Sequence, residues 1–142
     1  MYSYVGEIDQ LLKLKCNSKT AEEFCQTDVI TEALKVCSAY LLDDVMNLIK
    51  SSNESKQKIE NQTLALHIER SSLAHIRYIT YQIMLKSLVK FKDLNLRKHF
   101  TNLTALLGIT ALKTCVLSGY DAGYFKQGDQ HLIEQAYNLL LA

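Results

Sequence analysis

The sequence contains no proline and no tryptophan, and only five glycines in 142 residues. Proline breaks helix interiors because it lacks an amide hydrogen and clashes with the preceding turn, so its absence argues against a chain of short, punctuated elements. Four of the glycines, Gly108, Gly119, Gly123 and Gly128, fall in one short region, which leaves long stretches without a breaker. An excess of charge is missing too: 16 Lys and Arg stand against 15 Asp and Glu, a formal net charge of +1. Neither a nucleic-acid groove nor a polybasic membrane patch is suggested, so nucleic acid and membrane are not expected as partners. The four cysteines, Cys16, Cys25, Cys37 and Cys115, include no CxxC pair and follow no secretory signal. That spacing argues against a disulfide framework or a zinc site, and for reduced thiols in an intracellular compartment. No run of about 18 apolar residues occurs, so a transmembrane helix is not expected. Acceptor patterns for glycosylation begin at Asn53, Asn61 and Asn102, but the last two lie in helical patterns, and all three are read as chance.

What remains is helical periodicity. A chain of this length can bury roughly two thirds of the surface its unfolded form exposes, enough for one real core. The pattern predicts an all-α fold, an antiparallel helical bundle of about four to five helices. Residues 1–26 read as an N-terminal helix and a polar connection, and residues 27–142 as the bundle. Val5, Ile8, Leu11, Leu12 and Leu14 make a short amphipathic pattern that begins abruptly, as in a helix cut from something longer. Thr27 or Asp28 can cap the next helix, whose stripe of Ile30, Leu34, Cys37, Leu41, Val45 and Leu48 faces a core. After a polar turn from Ser51 to Lys58 comes the organising element, Ile59 to Phe91. At about 100° per residue, Ile59, Leu66, Leu73, Tyr81, Met84, Leu85, Leu88 and Phe91 share a broad apolar arc, widened by Ile76 and Ile83, with His75, Gln82, Lys86 and Lys90 opposite. A fourth helix carries Leu96, Phe100, Leu103, Leu107, Thr110 and Thr114 as its stripe. A glycine-rich turn follows, and Asp129 is expected to cap a last helix with Leu132, Ala136, Leu139 and Leu140 on one face.

The inventory for chemistry is thin. His67, His75, His99 and His131 fit no HExxH pattern, and no P-loop, GxGxxG or GxSxG is present, so no metal site and no catalytic residue is assigned. Arg70 and Arg77 project from the apolar arc of the long helix, where an unpaired charge is costly, so each is expected to find a partner. Asp43, Asp44 and Asp121 are candidates within the chain, and a second subunit or a ligand outside it; the plainer reading is an internal ion pair or an arginine that snorkels to water. His75 and Tyr78, three residues apart, read as a hydrogen-bonded pair at a helix contact.

Arg70, Ser72, Ala74, His75 and Tyr78, followed by aliphatic residues to Leu88, resemble a helix of the C-terminal α-helical domain of acyl-CoA oxidases, which often reads R-x-S-x-A-H-x-x-Y. Leu103, Leu106, Leu107, Gly108 and Leu112 are similar to that family's Leu-rich helix. Gly123, Tyr124, Phe125 and Gly128 resemble the glycine-aromatic turn that ends it, and Val29 to Leu42 the helix that opens the domain. The resemblance covers about Asp28 to Leu140. It implies an FAD flavoprotein oxidoreductase of peroxisomal fatty acid β-oxidation, which turns acyl-CoA into trans-2-enoyl-CoA with release of peroxide.

The family's flavin-binding helical domain, its middle β domain and the segment with the catalytic glutamate precede the region matched, so no catalytic or cofactor-binding residue is carried over. Arg70, Ser72, Ala74, His75, Tyr78, Gly123 and Gly128 are expected to be structural. The resemblance implies a non-catalytic fragment or truncated product, partnered by the remaining domains of an oxidase or by a second subunit in a dimer. The peroxisome is implied by resemblance alone, since the chain does not end in a Ser-Lys-Leu type signal. Two other readings are carried: a free-standing helical protein-interaction or dimerisation module, and a catalytic bundle with its own small-molecule site.

Overall fold

A computed structural model describes residues 4–51 and 57–142, with side chains of the second stretch from residue 62 onward. The Asn53 pattern, the Ile59 and Asn61 side chains and most of the turn from Ser51 to Lys58 lie outside the described residues. Among those described there is no strand. Two one-turn helices, α1 (Ile8–Leu11) and α2 (Ala21–Phe24), precede three long ones, α3 (Thr27–Ser51), α4 (Gln57–Ser87) and α5 (Leu94–Asp121), and a shorter α6 (Asp129–Leu141). The fold is all-α, as the periodicity predicts.

Local chemistry sets several of the boundaries. The Thr20 hydroxyl accepts from the Glu23 amide while Glu23 Oε2 accepts from Lys19 N, which satisfies two amides reciprocally and starts α2 inside the stretch read as polar connection. Asp93 Oδ1 accepts from the amides of Asn95 and Leu96 and so caps α5. At the end of α5, Gly123 has φ +69°, its amide bonds Tyr120 O, and the Tyr124 amide bonds Gly119 O. Those two bonds satisfy carbonyls that the helix end would otherwise leave unpaired. The expected cap of α6 is corrected: the N-cap is Gly128, at φ +93°, and no side chain caps it. Asp129 instead accepts from the Lys126 amide at 2.9 Å and pairs with Lys126 Nζ at 3.2 Å, which closes the turn before the helix.

Packing puts α3 at the centre. Ile30, Leu34, Cys37 and Val45 are buried and Leu41 packs against them, as their spacing predicts. Tyr81 donates to Thr27 O and His67 pairs with Asp44, so α3 and α4 run antiparallel. Tyr81 also meets Gly108, and Arg77 meets Thr114, so α4 and α5 run antiparallel as well.

The facing surfaces of α4 and α5 are not the expected ones. On α4 the inward residues are Ser71, Ala74, Tyr78, Tyr81 and Gln82, whereas Leu66, Leu73, Ile76 and Ile83 are exposed; of the predicted arc Tyr81 is buried, as is Leu88 in the single turn Leu88–Lys90 that follows the helix. The buried arc is turned by roughly 70° from the apolar arc, at 100° per residue. Small residues let α3 approach closely, and Tyr81 and Gln82 are hydrogen-bonded across the seam, Tyr81 to Thr27 O at 2.7 Å and Gln82 to the Thr31 hydroxyl at 3.5 Å. On α5 the stripe residues Leu96, Phe100, Leu103, Thr110 and Thr114 are exposed and Leu107 is half-buried, and Thr104, Ala105, Gly108, Ile109, Leu112 and Cys115 are inside. A Cβ on Gly108 would lie 2.6 Å from Ile30 Cγ2 and 2.7 Å from Tyr81 Cε2, so the three long helices meet where only glycine fits.

By length and composition α5 could cross a membrane, with a mean hydropathy of 1.4 over its best window, 44% of which is buried in the fold. Counting unbroken apolar runs overlooks this helix, because threonines divide its aliphatic residues. Here it is a core helix of the bundle.

Candidate functional site

Five residues that carry the family resemblance, Arg70, Ser72, Ala74, His75 and Tyr78, gather in the middle of α4, where they divide between two environments. Ala74 and Tyr78 point inward and are buried. Between them and α3 sits the ring of Tyr4, delivered by the N-terminal segment and itself 1% exposed. Its hydroxyl lies 3.0 Å from His75 Nδ1, and its ring meets Tyr78 edge-on at 5.4 Å and His75 at 5.5 Å. Burial pushes the Tyr4 phenol above its ordinary value, offset in part by the Ser38 hydroxyl beside it. His75 and Tyr78 therefore do not pair with each other, as their spacing suggests, but both receive Tyr4. Sequence reading missed Tyr4 altogether. Its one available signal is an aromatic residue ahead of the Ile8 and Leu11 spacing.

The second environment is a groove of about 570 Å³ between α3, α4 and α5, where Arg70 and Arg77 stand. Arg77 Nη1 donates to the Thr114 hydroxyl at 3.1 Å, and Arg70 makes no ion pair or hydrogen bond with a described residue. The expected internal carboxylate partners are otherwise placed: Asp44 Oδ2 lies 2.6 Å from His67 Nδ1, and Asp43 accepts from Asn47. Asp121 lines the groove without reaching either guanidinium. Both arginines are exposed, so the desolvation cost that would demand a partner does not arise. Tyr40, on the same wall, has its phenol pushed upward by burial and by Asp121, Asp44 and Asp43. Ser72 is exposed beside the Tyr4 seat.

This arrangement orients a histidine by a carboxylate but brings it no nucleophile, since His67 has no hydroxyl or thiol partner among the described residues. Nor do any three of His, Cys, Asp and Glu converge on a metal position among them. The groove offers a flavin dinucleotide two guanidiniums, Arg70 and Arg77, but no helix N-terminus or glycine-rich loop for its pyrophosphate, since its lining comes from within α3 and α4 and from the second half of α5.

The glycine-aromatic turn is the third feature. Gly123 and Gly128 both have positive φ, and Lys15 Nζ donates to Gly123 O at 2.7 Å. The Cys16 amide bonds Tyr124 O, the Tyr124 hydroxyl donates to Glu32 at 2.8 Å, and Lys126 Nζ donates to Ser18 O at 2.8 Å. Burial and the Glu32 carboxylate push the Tyr124 phenol well up. The turn thus straps the N-terminal segment to the bundle.

The sequence profile of the acyl-CoA oxidase family matches residues 26–142. The chain belongs to the acyl-CoA oxidase family. Among solved structures, an acyl-CoA oxidase from tomato (Lycopersicon esculentum) superposes with a TM-score of 0.86 at 18% identity, over 97% of this chain and 21% of that enzyme. Arabidopsis thaliana acyl-CoA oxidase 1 gives a TM-score of 0.80 at 20% identity, over 96% of this chain and 21% of its own length. Both likenesses concern the fold, and the chain spans about a fifth of the length of these oxidases. No curated protein matches by sequence.

Proposed function

We propose that this chain is the C-terminal helical portion of an acyl-CoA oxidase and is itself non-catalytic. The observation that carries the reading is the pair of coverages: nearly all of this chain matches, and only about a fifth of the tomato enzyme is matched. In the whole enzyme, FAD supplies the acceptor for the hydride removed from an acyl-CoA, and the residues described here do not contribute to that step. Their work is to hold a rigid bundle, stapled by Tyr4 and by the glycine-aromatic turn, against the remaining domains or a second subunit. On the family's account that enzyme acts in peroxisomal β-oxidation.

Two measurements test the reading. Purified chain incubated with FAD and an acyl-CoA is expected to retain no flavin absorbance after desalting and to form no peroxide. Retained flavin or peroxide would overturn it. The coding sequence directly upstream should encode a flavin-binding domain in the same frame or transcript. A second reading, a free-standing helical interaction module, is favoured by the continuity of the core, which runs from Tyr4 through Ile30 and Leu112 to Ala136. An isolated coding sequence would support it.

A further inference from the structure

The turn that joins α4 to α5 gathers charge of one sign. Residues 86–100 hold Lys86, Lys90, Lys92, Arg97 and Lys98 against a single carboxylate, Asp93, while the whole chain is nearly balanced at +1. The overall balance, which argues against a membrane partner, therefore conceals one basic end on an otherwise slightly acidic chain. Asp93 is engaged at the start of α5, where its Oδ1 accepts from the amides of Asn95 and Leu96. Arg97 folds the turn back on the helix, its Nε donating to Phe91 O at 3.1 Å while the Phe91 and Phe100 rings stack at 4.5 Å. Lys90, Lys92 and Lys98 are exposed and make no ion pair with a described residue. Asp28 and Glu32 of α3 share a hollow with Leu85, a turn back along α4, and Lys35 stands beside them there.

The same end is apolar as well as basic. Val89 and Leu94 are 76% and 75% exposed, the highest values of any large aliphatic residue among those described, and Leu96 follows at 49%. These side chains project from the end of a helical hairpin, so a partner helix finds no groove in which to lie. A bilayer surface does accept them: projecting aliphatics enter the headgroup boundary, lysine stems lie along it with their ammonium groups outward, and anionic lipid meets the charge. We propose that the α4–α5 turn docks this chain on the surface of an anionic phospholipid bilayer, with Val89 and Leu94 inserted and Lys90, Lys92 and Lys98 against the headgroups. The contact is interfacial, because the inner side of α5 is taken up by the core of the bundle. Neither flavin nor acyl-CoA enters this contact, which stands apart from the oxidase reading.

The test sediments the full chain with vesicles of phosphatidylcholine alone and of phosphatidylcholine with about 30% phosphatidylserine. The anionic vesicles are expected to bind the chain at least about tenfold more tightly, and about 0.5 M salt should remove most of that gain by screening. Lys90→Glu with Lys92→Glu and Lys98→Glu should bring binding down to the level of the neutral vesicles. Val89→Ser with Leu94→Ser should weaken it about tenfold at the same net charge and the same melting temperature, since both side chains stand in water in the free chain.

Equal binding to the two kinds of vesicle, or binding to neither, overturns the proposal. So does undiminished binding by the Val89→Ser, Leu94→Ser variant, because any polyanion, nucleic acid included, would then serve. A dimer in sedimentation velocity that those two serines dissolve overturns it too, the occupant being a second copy of the chain.

Discussion

α3 and the α4–α5 pair solve the same packing problem in opposite ways. On α3 the large aliphatics Ile30, Leu34 and Val45 are inside. On α4 and α5 the small residues Ser71, Ala74, Ala105, Gly108 and Ala111 share the inner seam with Tyr78, Tyr81, Ile109, Leu112 and Val116, and Ile76, Ile83, Leu103 and Leu117 face outward. A helix with one apolar face has one place to put it. A helix apolar on two sides must be oriented by shape, and α3 comes close to α4 and α5 only across small residues. The surplus aliphatic face then marks where something outside the chain belongs.

The largest expected effects test the inner side of that contrast. Ile30→Ala removes a fully buried side chain from the stripe that touches Gly108, and should cost about 2–5 kcal/mol in denaturant unfolding. Gly108→Val should cost about 1–3 kcal/mol or more, since even a Cβ there would press on Ile30 and Tyr81. If the glycine variant unfolds at the wild-type midpoint, the three helices do not meet as closely as the fold requires.

Tyr81 gives a subtler test, because it is both the aromatic spacer of the α3–α4 seam and its hydrogen bond to Thr27 O. Tyr81→Phe should cost about 1 kcal/mol at neutral pH. Burial, the leading cause, pushes the folded-state pKa from 10.0 to about 12. A group whose folded pKa is raised stabilises the fold fully below the unfolded value and loses that contribution as pH rises through the folded one. Stability should therefore fall between about pH 10 and 12, and Tyr81→Phe should make that fall shallower. An identical alkaline limb in the variant would place the Tyr81 hydroxyl in water.

Much of the architecture was legible in the sequence. The absence of proline, the clustered glycines and the stripe on α3 point to long antiparallel helices, and the αL turn at Gly123 and Gly128 is visible in its glycines. The rotation of α4 and α5 was not legible, because hydrophobicity spread around a helix carries no phase. The phase resides in residues a hydrophobic scan passes over, namely Ser71, Ala74 and Gly108. The Tyr4 seat was hidden for a different reason. It joins residues 71 positions apart, and nothing local to Tyr4 or His75 announces the contact. Arg70 and Arg77, placed on the apolar arc, call for a partner inside or outside the chain only on the premise that both are buried, and a snorkelling arginine needs none. With the helix turned, the premise fails, and the same two residues become the charged border of an outward face.

The smallest expected effect is the most discriminating for that face. Ile83→Ser and Leu103→Ser each replace an exposed aliphatic side chain, 49% and 53% accessible, with a small polar one on the outside of the bundle. In the isolated chain neither change opens a cavity or strands a buried polar group, so each should alter unfolding free energy by no more than about 0.5 kcal/mol. Serine is a poorer helix former than leucine, which accounts for a few tenths of that at Leu103, while isoleucine and serine are about equal. The contrast with Ile30→Ala is then several-fold for side chains of similar size, and it arises wholly from which way each one points. A loss of about 2 kcal/mol at Ile83 or Leu103 would mean that the outer face is already covered within the chain, and that α4 and α5 have no surplus side to offer.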